Sequence, residues 1–220
     1  MVDIVIATGN WHKVRELKAL LRLRGIRWRS LVECPPAPPV HETGRTFDAN
    51  AVNKARAIAN ATGYPALADD SGLEVEALGG APGVRSARFS GSHGDDRANN
   101  DKLLRLLDGL PAVRRRARYR CSLAFAQPSG AVAITRGVWQ GRIANEPRGV
   151  GGFGYDPIFL LPRLGRTVAE LPRAVKRRAS HRAIAARRMR RVLQRWLWNT
   201  RPRPAAGGIV SARLVRREHR

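Results

Sequence analysis

A short apolar run, Val2 to Ala7, breaks at the polar turn Thr8-Gly9-Asn10, and the chain then enters a helical pattern through Trp11, His12, Lys13 and Val14. A strand that ends in a polar turn at a helix start is the repeating unit of an open α/β sheet, and such sheets bind their ligands at these strand ends. The residues suit that place. Thr8 and Asn10 can donate or accept hydrogen bonds, Gly9 lets the backbone approach a ligand closely, and Lys13 offers a point charge matched to phosphate. The same residues also make an ordinary solvated turn with Asn10 near the helix N-cap, so the segment by itself constrains fold more than function.

Apolar periodicity predicts strands at residues 3–7, 65–68, 73–76, 117–127 and 131–138, with a short one at 157–161, and helices at 12–24, 47–62, 96–107 and 181–198. Strands and helices alternate early, and later strands pair through the turn Pro128-Ser129-Gly130, which implies an α/β fold with a mixed sheet and helices packed on it. Gly149 to Gly154 formally satisfies G-x-G-x-x-G, but Pro147 precedes it and Pro157 interrupts any helix after it, so it lacks the strand and helix of a dinucleotide fingerprint.

At 220 residues, 43% hydrophobic and 26% charged, the chain suits one soluble domain or one domain of two lobes. Cys34 and Cys121 are too few and too far apart for a disulfide scaffold or a zinc site, which fits a reducing cytoplasm. The start lacks the long apolar middle of a secretory signal, and no run approaches membrane-spanning length. The formal charge of +24 is unevenly placed: residues 171–220 carry 16 Lys and Arg against the single acid Glu218. That region is either a solvated basic face or an arm for polyanions, and a nucleic-acid-binding protein is the alternative it keeps open. Residues 1–199 form the expected domain; residues 200–220, rich in Pro, Gly and Arg, are expected to be disordered.

Asp69 and Asp70 close the apolar run Ala66-Leu67-Ala68 and precede Ser71-Gly72. Successive strand side chains point to opposite faces, so at most one of the two carboxylates enters a shared pocket. A carboxylate at a strand end suits Mg²⁺, which is held by one or two carboxylates plus substrate phosphates, while an Asx turn through Asp70 and Ser71 is the structural alternative. Asn50 and Lys54, four apart on the helix that follows Thr46, share one face, although Lys54 taken singly is equally a solvated lysine. In Phe153-Gly154-Tyr155-Asp156 small neighbours let the Phe153 ring either stack on a purine or pack in the core, and Asp156 can accept hydrogen bonds from a base. Ser180 is placed to N-cap the last helix, where His181 and Arg182 set cations against the helix dipole. Such a local violation points to function, with one more set of basic residues in a basic region as the plain alternative.

Four further segments accompany TGN..K: HETGRTFDANAVNKA from His41, ALADDSGLEVEALGGAPGVRSARFSG from Ala66, GGFGYDPIF from Gly151 and KRRASHR from Lys176. With these in order, the chain resembles the inosine triphosphate pyrophosphatase family, the house-cleaning hydrolases of XTP, ITP and dITP, over roughly its first nine-tenths. The resemblance implies an elongated central mixed sheet, two lobes with the nucleotide cleft between them, a homodimer, and Mg²⁺. It makes Asp70 the proton acceptor and a metal ligand, and Ser71 a substrate contact. Thr8, Gly9, Asn10, Trp11, His12, Lys13, Lys54 and Lys176 become substrate-binding residues, Phe153, Gly154, Tyr155 and Asp156 the base loop, and His181 and Arg182 donors to the carbonyl at purine position 6. Upstream of its T-G the family carries acids, one of them implicated in metal binding; here His41 replaces one, and the role passes to Glu42. The departures at Trp11, His12 and His41 allow an altered base preference. Asp70→Asn is expected to remove most turnover, and Asp69→Asn to hurt less.

Overall fold

The first strand, β1 (Val2–Ile6), hands its alternating side chains to two different layers: Ile4 and Ile6 enter one core cluster, Val5 and the following Ala7 another. The computed structural model, which describes residues 1–35, 37, 40 and 42–200, repeats this division across the sheet. Leu67, Leu123 and Phe125 pack with residues of α1 (Trp11–Leu20) and α5 (His181–Asn199), whereas Ala66, Ala68, Ala124 and Ala126 pack with Ala51, Ala55 and Ala59 of α2 (Phe47–Thr62). Large residues fill the space under two helices; alanine against alanine fills the layer under one.

The remaining strands are β2 (Ile26–Ser30), β3 (Ala66–Val75), β4 (Arg116–Ala126), β5 (Val132–Ile143), β6 (Phe159–Leu161) and β7 (Arg166–Thr167). They form one seven-stranded sheet in the order β2-β1-β3-β4-β5-β6-β7. β1 is parallel to β2 and β3, and every later pairing is antiparallel, so the sheet is mixed as expected. A further cluster gathers around the far ends of β3 and β4, where Leu73, Val75, Ala117 and Tyr119 meet Leu103 of α3 (Asp96–Leu106), Ile143 and Phe159. The core is thus divided along the two long central strands.

Three elements differ from the sequence expectations. Residues 65–68 and 73–76 are not two strands: β3 is continuous through Asp69-Asp70-Ser71-Gly72, because its ladder with β4 runs unbroken from Ala66↔Ala126 to Val75↔Ala117. The two aspartates therefore lie inside a strand, not at its end. The helix expected over 12–24 stops at Leu20, and β2 follows Gly25, whose φ of +89° favours glycine. Ile26-Arg27-Trp28-Arg29 does alternate apolar and polar residues as a half-buried strand does, but over only five residues, and Arg27 and Arg29 pair with Asp3 of β1. Finally, a short helix, α4 (Arg173–Ala179), precedes Ser180 and carries Lys176. His41 and residues 201–220, the expected disordered tail apart from Thr200, lie outside the described residues.

Candidate active site

The Thr8–Asn10 turn is built by its own side chains. Asn10 Oδ1 accepts from the backbone N–H groups of His12 (3.0 Å) and Lys13 (3.2 Å), capping α1, and Thr8 Oγ1 accepts from Asn10 N–H (3.2 Å). A Cβ added at Gly9 would meet no protein atom within 4 Å. The space beside Gly9 is cleft. That cleft, about 720 Å³, is lined by residues 7–13, by Glu42, Lys54, Asp70 and Ser71, and by an apolar rim including Leu31 and Val32.

Strand alternation sends the two aspartates to opposite faces of β3, as the sequence implies. Asp70 lines the cleft with Lys54 Nζ 3.6 Å from Oδ1, while its Oδ2 is buried and makes no hydrogen bond of normal geometry among the described residues, the Asn50 side chain acting only to lower its pKa slightly. Lys54 Nζ donates to Glu42 Oε1 (2.7 Å) and to the Asp69 carbonyl (2.8 Å), and Arg88 Nη1 stands 3.6 Å from Glu42 Oε2. Burial pushes the Asp70 carboxyl up to about 6, with Glu42 adding to the rise and Lys54 opposing it. For Glu42 burial acts the same way, but Lys54 outweighs it and holds the carboxylate below its usual range.

Asp69 meets the opposite environment. Fully buried, it accepts from Lys13 Nζ (2.5 Å) and Ser71 Oγ (3.0 Å) on Oδ1, and from Arg182 Nε (3.0 Å) and Cys121 Sγ (3.2 Å) on Oδ2. Burial would raise its pKa, yet Arg182 and Lys13 overcome that and hold it well below the usual carboxylate range. Arg182 also donates to Glu16 Oε2 (2.5 Å) and Ser71 Oγ (2.8 Å), and Lys176 lies between Glu16 (3.2 Å) and Asp156 (2.5 Å). Cations and anions alternate from Lys13 through Asp69, Arg182, Glu16 and Lys176 to Asp156. This chain of charges joins the cleft to an aromatic slot.

The slot is formed by Phe153, with Lys176 Nζ 4.4 Å and the Arg182 guanidinium 5.7 Å from its ring centroid. His12 stacks on Phe153 (5.0 Å) and on Trp11 (3.8 Å), so a purine reaches that face of Phe153 only by displacing His12 from the stack. Asp156 fixes the loop: Oδ2 accepts from the Phe153 N–H (3.0 Å), and Oδ1 from the Tyr119 hydroxyl (3.2 Å). A Cβ at Gly152 would collide with that carboxylate.

Most of the sequence candidates converge here, with two departures. Tyr155 faces the core, its hydroxyl donating to the Ser86 carbonyl (2.9 Å), so its side chain is not brought to the cleft. His181 is not a cation opposing the helix dipole: burial, then Arg182 and Lys176, drive its pKa well below the usual histidine value, and it lies neutral, stacked on Tyr119 at 4.6 Å. Ser180 caps α5 as expected, accepting from Ala183 N–H (3.1 Å). Glu16 and Arg88 were missed. Glu16 follows Lys13 by three positions on α1, a spacing that puts both on one helical face and could have singled it out. Arg88, on the 3₁₀ turn Gly83–Arg88, reaches Glu42 from a distant segment, and no local pattern reveals that.

No group of three or more His, Cys, Asp or Glu side chains among the described residues forms a closed metal cage. Mg²⁺ does not require one, because substrate phosphates and water complete its shell. The orphaned Asp70 Oδ2 and the neighbouring Glu42 carboxylate fit that manner of binding.

The Ham1 family model matches residues 4–192. A dITP/XTP pyrophosphatase of Geobacillus kaustophilus is 52% identical over 185 residues, covering 84% of this chain and 91% of the relative. Another, of Desulforamulus reducens, is 50% identical over 194 residues, covering 88% and 96%. Among solved structures, a HAM1 protein from Coxiella burnetii superposes with a TM-score of 0.82 at 43% identity, across 89% of this chain and 100% of that one. The Staphylococcus aureus Ham1 protein gives 0.80 at 38% identity, across 88% and 99%. Sequence motifs, sheet order and these likenesses agree, and the chain belongs to the Ham1 family.

Proposed function

We propose that this chain hydrolyses deaminated purine nucleoside triphosphates, ITP, dITP and XTP, to the monophosphate and pyrophosphate. One observation carries the reading: Asp70 presents a buried, unpartnered Oδ2 at a cleft walled by Lys13, Lys54 and the Thr8–Asn10 turn. The names of relatives at 52% and 50% identity support the substrate class.

A water beside Asp70 Oδ2 gives its proton to the carboxylate as its oxygen bonds to the α-phosphorus. The bond from that phosphorus to the bridging oxygen breaks, and pyrophosphate leaves. In the metal-free protein burial pushes this carboxyl up to about 6, so it is largely ionised near neutral pH and more basic than an exposed aspartate. Lys13 and Lys54 offset the charge of the phosphates and of the leaving group. Mg²⁺ held by Asp70, Glu42 and the phosphates would offset triphosphate charge and acidify the attacking water. At the base, Phe153 offers a stacking face while Lys176 and Arg182 offer donors; an amino group at purine position 6 sets donor against donor. The homodimer implied by the family resemblance and the cytoplasmic setting that suits the free Cys34 and Cys121 are part of this proposal. No helix among the described residues is long and apolar enough to cross a membrane.

The test is to incubate the protein with Mg²⁺ and ITP, XTP, dITP, ATP or GTP, measuring pyrophosphate and orthophosphate separately. Pyrophosphate from the first three substrates is the expected result. Orthophosphate release, equal turnover of ATP, or salt-dependent nucleic-acid binding without any turnover overturns the reading.

A further inference from the structure

Two residues of α3, one helical turn apart, grip the same residue of the base loop. Asp96 Oδ2 accepts from the Gly154 N–H at 2.6 Å, and Asn100 Nδ2 donates to the Gly154 carbonyl at 3.1 Å. Both backbone hydrogen-bonding groups of Gly154 are therefore taken by side chains 58 and 54 positions away in sequence. Gly154 follows Phe153 directly and has a φ of +65°, a left-handed conformation that does not hold a loop in place by ladder hydrogen bonds of its own. On the other side of Phe153, the Asp156 carboxylate takes the Phe153 N–H. The aromatic residue is thus fastened at consecutive peptides, and α3 supplies two of these three hydrogen bonds.

We propose that Asp96 and Asn100 are positioning residues for base recognition: they set the backbone from which Phe153 presents its ring. The inference rests on the functional reading above. Neither residue lines the cleft that holds Lys13, Lys54 and Asp70, so the grip acts on the base end of the substrate and leaves the phosphate end alone. Asp96 is exposed and begins a helix already capped by Asp95, so replacing it removes the contact to Gly154 without opening the core.

The experiment compares Asp96→Ala and Asp96→Asn with the unaltered protein, reading kcat and KM for ITP, inhibition of ITP turnover by inorganic pyrophosphate, and amide hydrogen exchange of the Gly154 segment. Loss of one hydrogen bond to a charged acceptor should raise KM in Asp96→Ala by roughly fivefold with kcat little changed. Exchange at Gly154 should quicken and the pyrophosphate inhibition constant stay as it was. Asp96→Asn keeps an acceptor oxygen and should restore KM to within about twofold of the unaltered value. An unchanged KM in Asp96→Ala, a pyrophosphate constant that rises in proportion to KM, or an Asp96→Asn no better than Ala overturns the inference. Absence of ITP turnover by the unaltered protein shows instead that the functional reading has failed, before any variant is compared.

Discussion

Asp69 and Asp70 are neighbours on one strand, both buried, and the two faces of β3 treat them in opposite ways. On the Asp69 face two cations contact the carboxylate directly, and the charge is so well matched that its pKa falls well below the usual range. On the Asp70 face one lysine stands 3.6 Å away, shared with Glu42, and burial wins. Burial alone does not decide the state of a carboxylate; the number and distance of its cations does. A fully matched carboxylate organises the site, and a partly matched one remains available to take a proton.

The largest effect should come from Asp70→Asn. Removing the proton acceptor should lower ITP turnover by about 10³-fold. Because ionised Asp70 is disfavoured in the fold, the variant should melt at the same temperature or higher. Turnover near that of the unaltered protein would end the contrast between the faces.

Asp69→Asn should show the reverse pattern. It leaves Lys13 and Arg182 buried against an uncharged amide, at a cost of about 3 kcal/mol of stability in urea or thermal unfolding. The expectation from sequence, that Asp69→Asn costs less turnover than Asp70→Asn, is checked separately by assaying both variants. An Asp69→Asn protein as stable as its parent would mean that the charge chain contributes little.

Titration separates the two directly. Followed by carboxyl carbon NMR in the metal-free protein, Asp70 should show an inflection near 6 while Asp69 stays ionised well below the ordinary carboxylate range. For stability the signs are opposite. The raised Asp70 contributes stability that is present in acid and lost as pH rises through about 6, whereas the depressed Asp69 contributes stability present above its ordinary pKa and lost only as pH falls through its lowered value. Coincident inflections would remove the distinction.

The smallest effect is expected at Arg88, whose 3.6 Å approach to Glu42 is partly exposed, with side-chain exposures of 35% and 26%. Exposed pairs of this kind contribute about 0–1 kcal/mol, so Arg88→Gln should change kcat/KM for ITP by about fivefold or less. A larger loss would show that the Asp70 face is as tightly tied as the Asp69 face.

The local chemistry of the site was legible in the chain. Asn10 caps α1, Ser180 caps α5, Asn50 and Lys54 share a helix face, and strand alternation separates the two aspartates, because each of these is a relation among residues close in sequence. The breaks in expectation are equally local in origin. Asp-Asp-Ser-Gly looks like a strand end by composition, whereas the alternation of Ile-Arg-Trp-Arg in β2 is a strand signal too short to stand out beside the helix before it. Partners elsewhere settle both: β4 carries the ladder through the first, and β1 pairs with the second, its Asp3 contacting Arg27 and Arg29.

By itself, then, the sequence determined the class of fold, the turn at Thr8–Asn10, and the residue types available for phosphate and base. Tertiary structure decided which aspartate is matched and which is free, that His181 is neutral, that Glu16 completes a line of charges from cleft to slot, and that α3 holds the Phe153–Asp156 loop. The physical reason is that propensities, caps and alternation act over a few residues, whereas a pKa is set by burial and by charges at contact distance. Only the folded chain brings Arg182 to Asp69, 113 positions apart, or Asp96 to Gly154, 58 apart.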